Sequence, residues 1–167
     1  VNLFDAKTWA EVREVQPHEG VELTSLAYSP SGGFLALADE NGGVVLAAAG
    51  VEETQAAIPL GDDEAISSLA ATTSPSGEAW LAAANGTGRF RLMRGATAEV
   101  VSEMNDGGQV HALAFSSGGL LASGGGGGVV VREAGGEQKV SSLELTGAAS
   151  RGKEFSTQLV PSHPTVH

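Results

Sequence analysis

Residues 23–46, which decide the fold, read Leu-Thr-Ser-Leu-Ala-Tyr-Ser-Pro-Ser-Gly-Gly-Phe-Leu-Ala-Leu-Ala-Asp-Glu-Asn-Gly-Gly-Val-Val-Leu. Three apolar runs are separated by a Ser-Pro-Ser-Gly sequence and by an Asn-Gly pair. Proline and glycine at such positions are typical of tight turns, and Asn-Gly is a strong local signal for a β-hairpin. The stretch therefore predicts three antiparallel strands joined by two short turns.

The same pattern returns twice, in residues 66–93 and 110–131. Equivalent leucines at Leu26, Leu69 and Leu113 lie 43 and 44 residues apart, and Asn41 lies 44 residues before Asn85. A weaker segment follows each unit as a candidate fourth strand, at residues 54–60, 99–104 and 138–145. A period of about 40–45 residues with four short strands per unit is the signature of propeller blades. The repeat therefore predicts an all-β propeller of four-stranded blades.

Two more strands are predicted before the first unit, because residues 1–5 and 11–15 alternate apolar and polar side chains. They are interpreted as the outer two strands of one blade in residues 1–20. Three complete blades follow in residues 21–64, 65–108 and 109–145. In the C-terminal tail, residues 146–167, a segment at 153–162 has the spacing of the first strand of a further blade. The chain is therefore expected to hold about 3.5 to 4 blades.

Sequence motifs within these units resemble those of the WD40-repeat family. Residues 25–36 read Ser-Leu-Ala-Tyr-Ser-Pro-Ser-Gly-Gly-Phe-Leu-Ala, and residues 112–124 read Ala-Leu-Ala-Phe-Ser-Ser-Gly-Gly-Leu-Leu-Ala-Ser-Gly. Both are similar to the segment that joins the first and second strands of a WD40 blade. The opening Val-Asn-Leu-Phe-Asp and the Pro-His-Glu-Gly at 17–20 resemble the family's Trp-Asp strand end and Gly-His element. The resemblance covers residues 1–145 and implies a WD40-like propeller.

The family's two marker pairs are largely replaced in this chain. The Trp-Asp position holds Phe-Asp at 4–5, Ala-Ala at 47–48, Met-Arg at 93–94 and Arg-Glu at 132–133. The Gly-His position holds a histidine once, at His18, and otherwise Gly-Asp at 61–62 or Asp-Gly at 106–107. The resemblance implies that Asp5 and His18 tie strands together within a blade. It also implies that the family's His, Ser/Thr, Asp and Trp network is incomplete in every blade here.

Propellers of this family usually close with seven blades, so the resemblance implies about half of a propeller in this chain. Three interpretations stay open: part of a larger propeller, a half-propeller completed by another chain or copy, and a small self-closed ring. An open end would expose an apolar blade face and a sheet edge, which is an aggregation hazard.

Composition excludes several classes of partner. The net charge is −11 with nine Lys and Arg residues, which argues against nucleic acid and anionic membranes, because both are bound through clustered basic side chains. The chain has no cysteine, so a disulfide framework, a thiolate metal site and a cysteine nucleophile are excluded. No apolar run approaches the roughly 18 residues of a membrane helix, so direct membrane insertion is not expected. The compartment stays unknown, with a soluble intracellular location favoured.

No catalytic residue, metal site, cofactor or small-molecule substrate is predicted. The five glycines at 124–128 precede Val-Val-Val, whereas a phosphate loop needs Lys-Ser/Thr and a helix, so this run is interpreted as a turn. The closest histidines, His163 and His167, lie in a proline-containing tail. The linear motifs of serine hydrolases, β-lactamases and zinc proteases do not occur.

Large side chains expected at the surface are the candidates for an interface: Trp9, Arg89, Arg91, Met93 and Arg94. Aromatic, Met and Arg side chains are enriched at interfaces, and Trp and Arg dominate their binding energy. Residues 89–94 alternate, which predicts that Phe90 and Leu92 face a neighbouring blade and that the arginines face the other side. An edge strand kept soluble by its charges is the alternative interpretation.

These observations favour a non-catalytic protein-interaction scaffold, a WD40-like subunit of a multiprotein assembly with other protein subunits as partners. The first alternative is a propeller enzyme, a hydrolase or lyase with its active site in the central channel. The second is a regulatory exchange factor, because some propellers of this family act on small GTPases through a loop between blades.

Overall fold

The structure is a computed structural model that describes residues 1–15, 20–49, 64–74, 76–95, 97–126, 128–134 and 139–143. Within these ranges all regular elements are β-strands. In chain order they are β1 (Asn2–Phe4), β2 (Glu11–Glu14), β3 (Leu23–Tyr28), β4 (Phe34–Asp39), β5 (Val44–Ala48), β6 (Ile66–Thr73), β7 (Ala79–Asn85), β8 (Arg89–Arg94), β9 (Val100–Asn105), β10 (Val110–Phe115), β11 (Leu120–Gly125), β12 (Gly128–Glu133) and β13 (Lys139–Leu143).

The strands form four antiparallel sheets in which each strand pairs with its neighbour in sequence. These are the hairpin β1–β2, a first sheet β3–β4–β5, a second sheet β6–β7–β8–β9 and a third sheet β10–β11–β12–β13. The candidate fourth strands at 99–104 and 138–145 appear as β9 and β13, within one or two residues at most boundaries. The candidate strand at 54–60 and the tail at 146–167 lie outside the described residues. The blade boundaries remain predictions.

The sheets pack face to face in chain order, because both faces of a central sheet carry apolar side chains. An apolar cluster fills each interface. The cluster between the hairpin and the first sheet contains buried Val15, Leu35, Leu37 and Ala47. That between the first and second sheets contains Phe34, Ala36, Ala38, Val44, Leu46, Ile66, Leu69, Leu81, Ala83 and Met93. That between the second and third contains Ala70, Trp80, Ala82, Ala84, Phe90, Leu92, Val110, Leu113 and Leu121.

Hydrogen bonds between the innermost strands join successive sheets at the same repeat position. The Leu69 N–H donates to the Ser25 hydroxyl oxygen at 3.1 Å, and the Leu113 N–H donates to the Ser68 hydroxyl oxygen at 3.0 Å. The Ser67 hydroxyl donates to the carbonyl of Val110 at 2.6 Å. Each inner strand has a register shift immediately before Ser25, Ser68 or Ala112, next to the residues that form these bonds.

Polar side chains hold the turns that the sequence predicts. Ser29 and Ser74 accept the backbone N–H of Phe34 and Glu78 and so close the first turn of the first two units. At the second turn, Asp39 accepts the N–H of Gly43. Asn85 ends β7 as Asp39 ends β4, and its side-chain oxygen accepts the N–H of Arg89.

The structure changes two details of the predicted turns. Since Asn85 pairs with Ile66 as Asp39 pairs with Leu23, Asn85 corresponds to Asp39 rather than to Asn41. The spacing of 44 residues between the two asparagines misleads because the β6–β7 hairpin is longer than the β3–β4 hairpin: Leu69 pairs with Ala83, 14 residues on, whereas Leu26 pairs with Leu37, 11 residues on. The glycine run is also only partly a turn, because β11 ends at Gly125 and β12 begins at Gly128. A side chain on Gly125 would overlap the Gln109 carbonyl.

Candidate interaction surface

The turn between β1 and β2 presents the most exposed large hydrophobic side chain among the described residues. Trp9 is 77% exposed. The carboxylate of Asp5 accepts the backbone N–H groups of Lys7 and Thr8 at 2.9 and 2.8 Å and the Thr8 hydroxyl at 3.0 Å. The Trp9 N–H donates to the Asp5 carbonyl. One acidic residue therefore fixes the loop that carries the indole.

Hydrogen bonding also determines the ionisation of Asp5. The backbone N–H of Thr8, then that of Lys7 and then the Thr8 hydroxyl stabilise the carboxylate and hold its pKa below the ordinary value for aspartate. The sequence resemblance assigned Asp5 and His18 to strand tying within a blade. Asp5 stabilises its own turn, and His18 lies outside the described residues, so strand tying by this pair stays a prediction.

Trp9 adopts a left-handed backbone conformation with φ of 57°, and Ala98 does the same at 58°. The two turns have the same pair of backbone hydrogen bonds. The Asp5 N–H donates to the Ala10 carbonyl as the Arg94 N–H donates to the Glu99 carbonyl, and the Trp9 N–H donates to the Asp5 carbonyl as the Ala98 N–H donates to the Arg94 carbonyl. The conformation of Trp9 is therefore a property of this turn. It also shows that β1–β2 is built like β8–β9, the outer two strands of the second sheet.

The arginines of β8 are engaged with acidic neighbours on the second sheet. Arg91 forms an ion pair with Glu103 at 3.0 Å, and exposed Arg94 pairs with Glu78 and, at 3.3 Å, with Glu99. The Arg94 guanidinium also lies 5.8 Å from the Trp80 ring centroid. Arg89 is half-buried. The first sheet lies between β8 and the Trp9 turn, so these residues do not share one sheet with Trp9.

Met93 does not lie on the surface, which corrects the expectation from the sequence. Its side chain is fully buried between the first and second sheets. Phe90 and Leu92 pack towards a neighbouring sheet, the third, as predicted. The opposite side of β8 also packs against a sheet, because Met93 lies in the cluster between the first and second sheets. A central sheet is covered on both faces, so alternation along its strand does not expose either set.

Sequence reasoning missed a buried ion pair between the second and third sheets. Arg132 pairs with Asp106 through both of its terminal nitrogens, and the hydroxyl of Ser123 donates to the same carboxylate. The guanidinium lies 5.1 Å from the Phe90 ring centroid. Asp106 follows β9 at the Gly-His position, and Arg132 occupies the Trp position of β12. The sequence did contain a signal for this ion pair, because an acidic residue, Asp106, and a basic residue, Arg132, replace the two family markers of the third sheet together.

The described residues show no group of three or more His, Asp or Glu side chains that could hold a metal ion. A cavity of about 30 Å³ borders Asp106, Ser123 and Gly125, which is far smaller than the roughly 300 Å³ or more of a typical small-molecule site. The described residues also contain no helix with the length and hydropathy that a bilayer crossing requires.

The arrangement of sheets is similar to that of solved WD40 propellers. A chain in the crystal structure of a mitotic checkpoint complex matches with a TM-score of 0.70 and 18% identity, over 85% of this chain and 44% of that one. The structure of U3-55K matches with a TM-score of 0.66 and 17% identity, over 76% of this chain and 40% of that one. The chain thus spans less than half the length of either. No family model and no curated protein matches the sequence. The comparisons confirm the predicted fold, a WD40-like β-propeller.

Proposed function

We propose that the chain is a non-catalytic protein-interaction scaffold, a subunit of a multiprotein assembly that contacts a partner through the Trp9 turn. The observation that carries this proposal is a tryptophan that is 77% exposed at the tip of a hydrogen-bonded turn. Tryptophan buries a large area at a small entropic cost, which makes it the residue type most enriched at binding hot spots.

The Asp5 turn is suited to this role because it is ordered by its own hydrogen bonds. Three hydrogen bonds to one carboxylate oxygen fix residues 5–8, so a partner would not have to order this loop when it binds. Preorganisation of this kind raises affinity by lowering the entropic cost of association. The turn therefore supports an exposed anchor that enters a preformed pocket on the partner.

Charge indicates the chemistry around that pocket. The chain carries a net charge of −11, and Glu11 and Glu14 are exposed on β2 beside the turn. A partner with an apolar pocket and basic residues at its rim would be attracted over long range and held in register. The described residues favour neither the enzyme nor the exchange-factor alternative by any specific observation.

The test compares Trp9→Ala with Val101→Ala, a matched truncation of an exposed apolar residue on β9. Each full-length variant is expressed in place of the wild type, and co-purifying proteins are quantified by mass spectrometry. We expect Trp9→Ala to weaken the binding of at least one partner about thirtyfold, as a hot-spot loss of about 2 kcal/mol implies, and Val101→Ala to keep that partner. Equal partner sets for both variants and the wild type would contradict the Trp9 site.

A further inference from the structure

Two Asn-Gly pairs, which begin at Asn41 and at Asn85, occupy different positions in their turns. The first asparagine lies between β4 and β5, whereas the second is the last residue of β7. The backbone of Gly42 matches that of Gly88, which lies beyond the second pair. Both glycines are left-handed, with φ of 82° and 93°, and both donate an N–H at 3.4 Å to the carbonyl three residues earlier. The same dipeptide is therefore held in two different environments.

The dipeptide matters because asparagine is chemically labile, above all before glycine, which has no Cβ to shield its nitrogen. The glycine nitrogen attacks the side-chain carbonyl carbon of the asparagine, and a five-membered succinimide ring closes. The bond to the side-chain nitrogen breaks, and that nitrogen leaves as ammonia with the proton of the glycine amide. Water then opens the ring at either carbonyl, which gives aspartate or isoaspartate. Water is the only co-reactant, and no oxidant or reductant takes part.

Asn41 meets the requirements of this reaction. Its side chain is exposed, so it can rotate towards the next peptide group and is in contact with water. The nucleophile, the Gly42 nitrogen, donates to the Asp39 carbonyl at 3.4 Å. A hydrogen bond of this length is weak, so it opposes the attack only slightly. The amide carbon of Asn41 is therefore accessible to the glycine nitrogen.

Asn85 is restrained through both its side chain and its backbone. The residue is 1% exposed. Its Oδ1 accepts the N–H and the hydroxyl of Thr87 at 3.2 and 2.8 Å, and the N–H of Arg89 at 3.1 Å. Its backbone pairs with Ile66 in the β6–β7 ladder. The side-chain carbon can turn onto the nitrogen of Gly86 only when these bonds break together, so the reaction at this site requires local opening of the strand end.

We propose that Asn41 is a site of spontaneous deamidation in the folded protein and that the fold protects Asn85 from the same reaction. The contrast follows from the different positions of the two asparagines in their turns, because the residue that follows is glycine in both cases. Neither asparagine lies in the Trp9 turn. The modification therefore does not depend on whether Trp9 binds a partner.

The product is expected to disturb the turn between β4 and β5. A carboxylate at position 41 lies close in sequence to the carboxylates of Asp39 and Glu40, and like charges at short range repel each other. Isoaspartate also lengthens the main chain beside Gly42, where space is limited: a Cβ on this glycine would lie 2.8 Å from the Glu64 carbonyl oxygen. Deamidation therefore acts at a contact between the first sheet and the residue that leads into β6.

The test follows both sites in the same molecules of the full chain. Purified protein is incubated at mildly alkaline pH below its unfolding transition, and peptide mapping by mass spectrometry quantifies the replacement of NH2 by OH at each asparagine. We expect Asn41 to react at least about tenfold faster than Asn85, because the second site reacts only from an opened state. In the urea-unfolded chain the two rates are expected to be similar, which separates the effect of the fold from that of the local sequence.

Two matched threonine variants test the cause of the protection. Thr87→Val removes the hydroxyl that donates to the Asn85 side chain, and is expected to speed the reaction at Asn85 about threefold or more. Thr97→Val removes an exposed hydroxyl from another turn of the same sheet, where it accepts the Glu99 N–H at 3.4 Å, and is expected to leave both rates unchanged. Asn41→Gln should abolish the product at this position, because closure of a six-membered ring is much slower.

Two results would overturn the proposal. One is an equal rate at the two asparagines in the folded chain, which would mean that the turn positions do not control the reaction. The other is a rate at Asn41 that falls about tenfold or more when the unfolded chain folds, because Asn41 would then be protected by the fold as well.

Discussion

The interface between the second and third sheets and the face of the first sheet at the N-terminal end carry equivalent residues in opposite environments. At the closed interface, Leu113 is buried and the charged Arg132 lies within the cluster that surrounds Phe90. Leu26, the counterpart of Leu113 on the first sheet, is 58% exposed, and Phe4, which holds the repeat position of Arg132 on the neighbouring hairpin, is 52% exposed. Burial in this fold is therefore set by the neighbouring sheet and not by the hydrophobicity of the residue.

The largest expected effect breaks the ion pair at the closed interface. Arg132→Ala leaves the buried Asp106 carboxylate without its charge partner, and removing one member of a buried pair typically costs about 3–5 kcal/mol. Phe4→Ala, at the matching repeat position of β1, is expected to change the free energy of unfolding by less than about 0.5 kcal/mol. Urea unfolding of both variants measures the difference. A small cost for Arg132→Ala would show that solvent reaches Asp106.

Next in size is the pair of leucines. Leu69→Ala is expected to lower the free energy of unfolding by about 2–4 kcal/mol, since it opens a cavity between the first and second sheets. Leu26→Ala is expected to cost less than about 0.5 kcal/mol, because its side chain is already in contact with water. Equal losses measured by thermal unfolding would mean that Leu26 is covered in solution, and the comparison would fail.

A smaller and stabilising effect is expected at the two left-handed positions. Glycine adopts this conformation without the steric cost that other L-residues bear, so Trp9→Gly is expected to raise the free energy of unfolding by about 0.5–1 kcal/mol. Ala98→Gly should gain less, because the Ala98 methyl packs against the cluster between the first and second sheets. Denaturant midpoints of the two variants measure this. A loss of stability in Trp9→Gly would reveal an undescribed contact of the indole.

The smallest expected effect is a pH dependence of the Asp5 turn. Since hydrogen bonds lower the pKa of Asp5 in the folded state, the stability that they contribute is fully present above the ordinary aspartate pKa. It is lost as the pH falls through the lowered value. NMR shifts of the Lys7 and Thr8 amides should follow this titration, with Asp5→Ala as the control that removes it. Amide shifts that do not move at acid pH in the wild type would contradict the turn geometry.

Much of the fold was predictable because turn chemistry and period act locally. The Ser-Pro-Ser-Gly and Asn-Gly turns and the spacing of 43 and 44 residues located the strands, and β3, β6 and β10 begin at the first residues of the three repeated stretches. The comparisons at TM-scores of 0.70 and 0.66 confirm the propeller fold. The Asn41 and Asn85 equivalence failed because the β6–β7 hairpin is three residues longer than the β3–β4 hairpin, as the pairs Leu69–Ala83 and Leu26–Leu37 show.

The candidate site was less predictable because exposure depends on which sheet lies opposite. Trp9 was identified correctly as exposed, since a hairpin turn reaches solvent in any packing. Met93 was placed wrongly, because a strand in a central sheet has no solvent face. Leu26 shows the opposite case: its repeat counterparts Leu69 and Leu113 are buried, whereas Leu26 is exposed beside a hairpin with two described strands. Neither outcome is encoded in the residue itself.

The serines that join the inner strands have a consequence for polymerisation. Ser25 and Ser68 accept the N–H of the following sheet, but the corresponding residue of the third sheet is Ala112, which has no hydroxyl. If the third sheet of one molecule packed on the exposed Leu26 and Tyr28 of the next, Ala112 would leave the Leu26 N–H buried without this acceptor, at a cost of roughly 1–3 kcal/mol. Repeated head-to-tail contacts of that kind would build open filaments. A single missing hydroxyl therefore disfavours growth of the repeat from molecule to molecule.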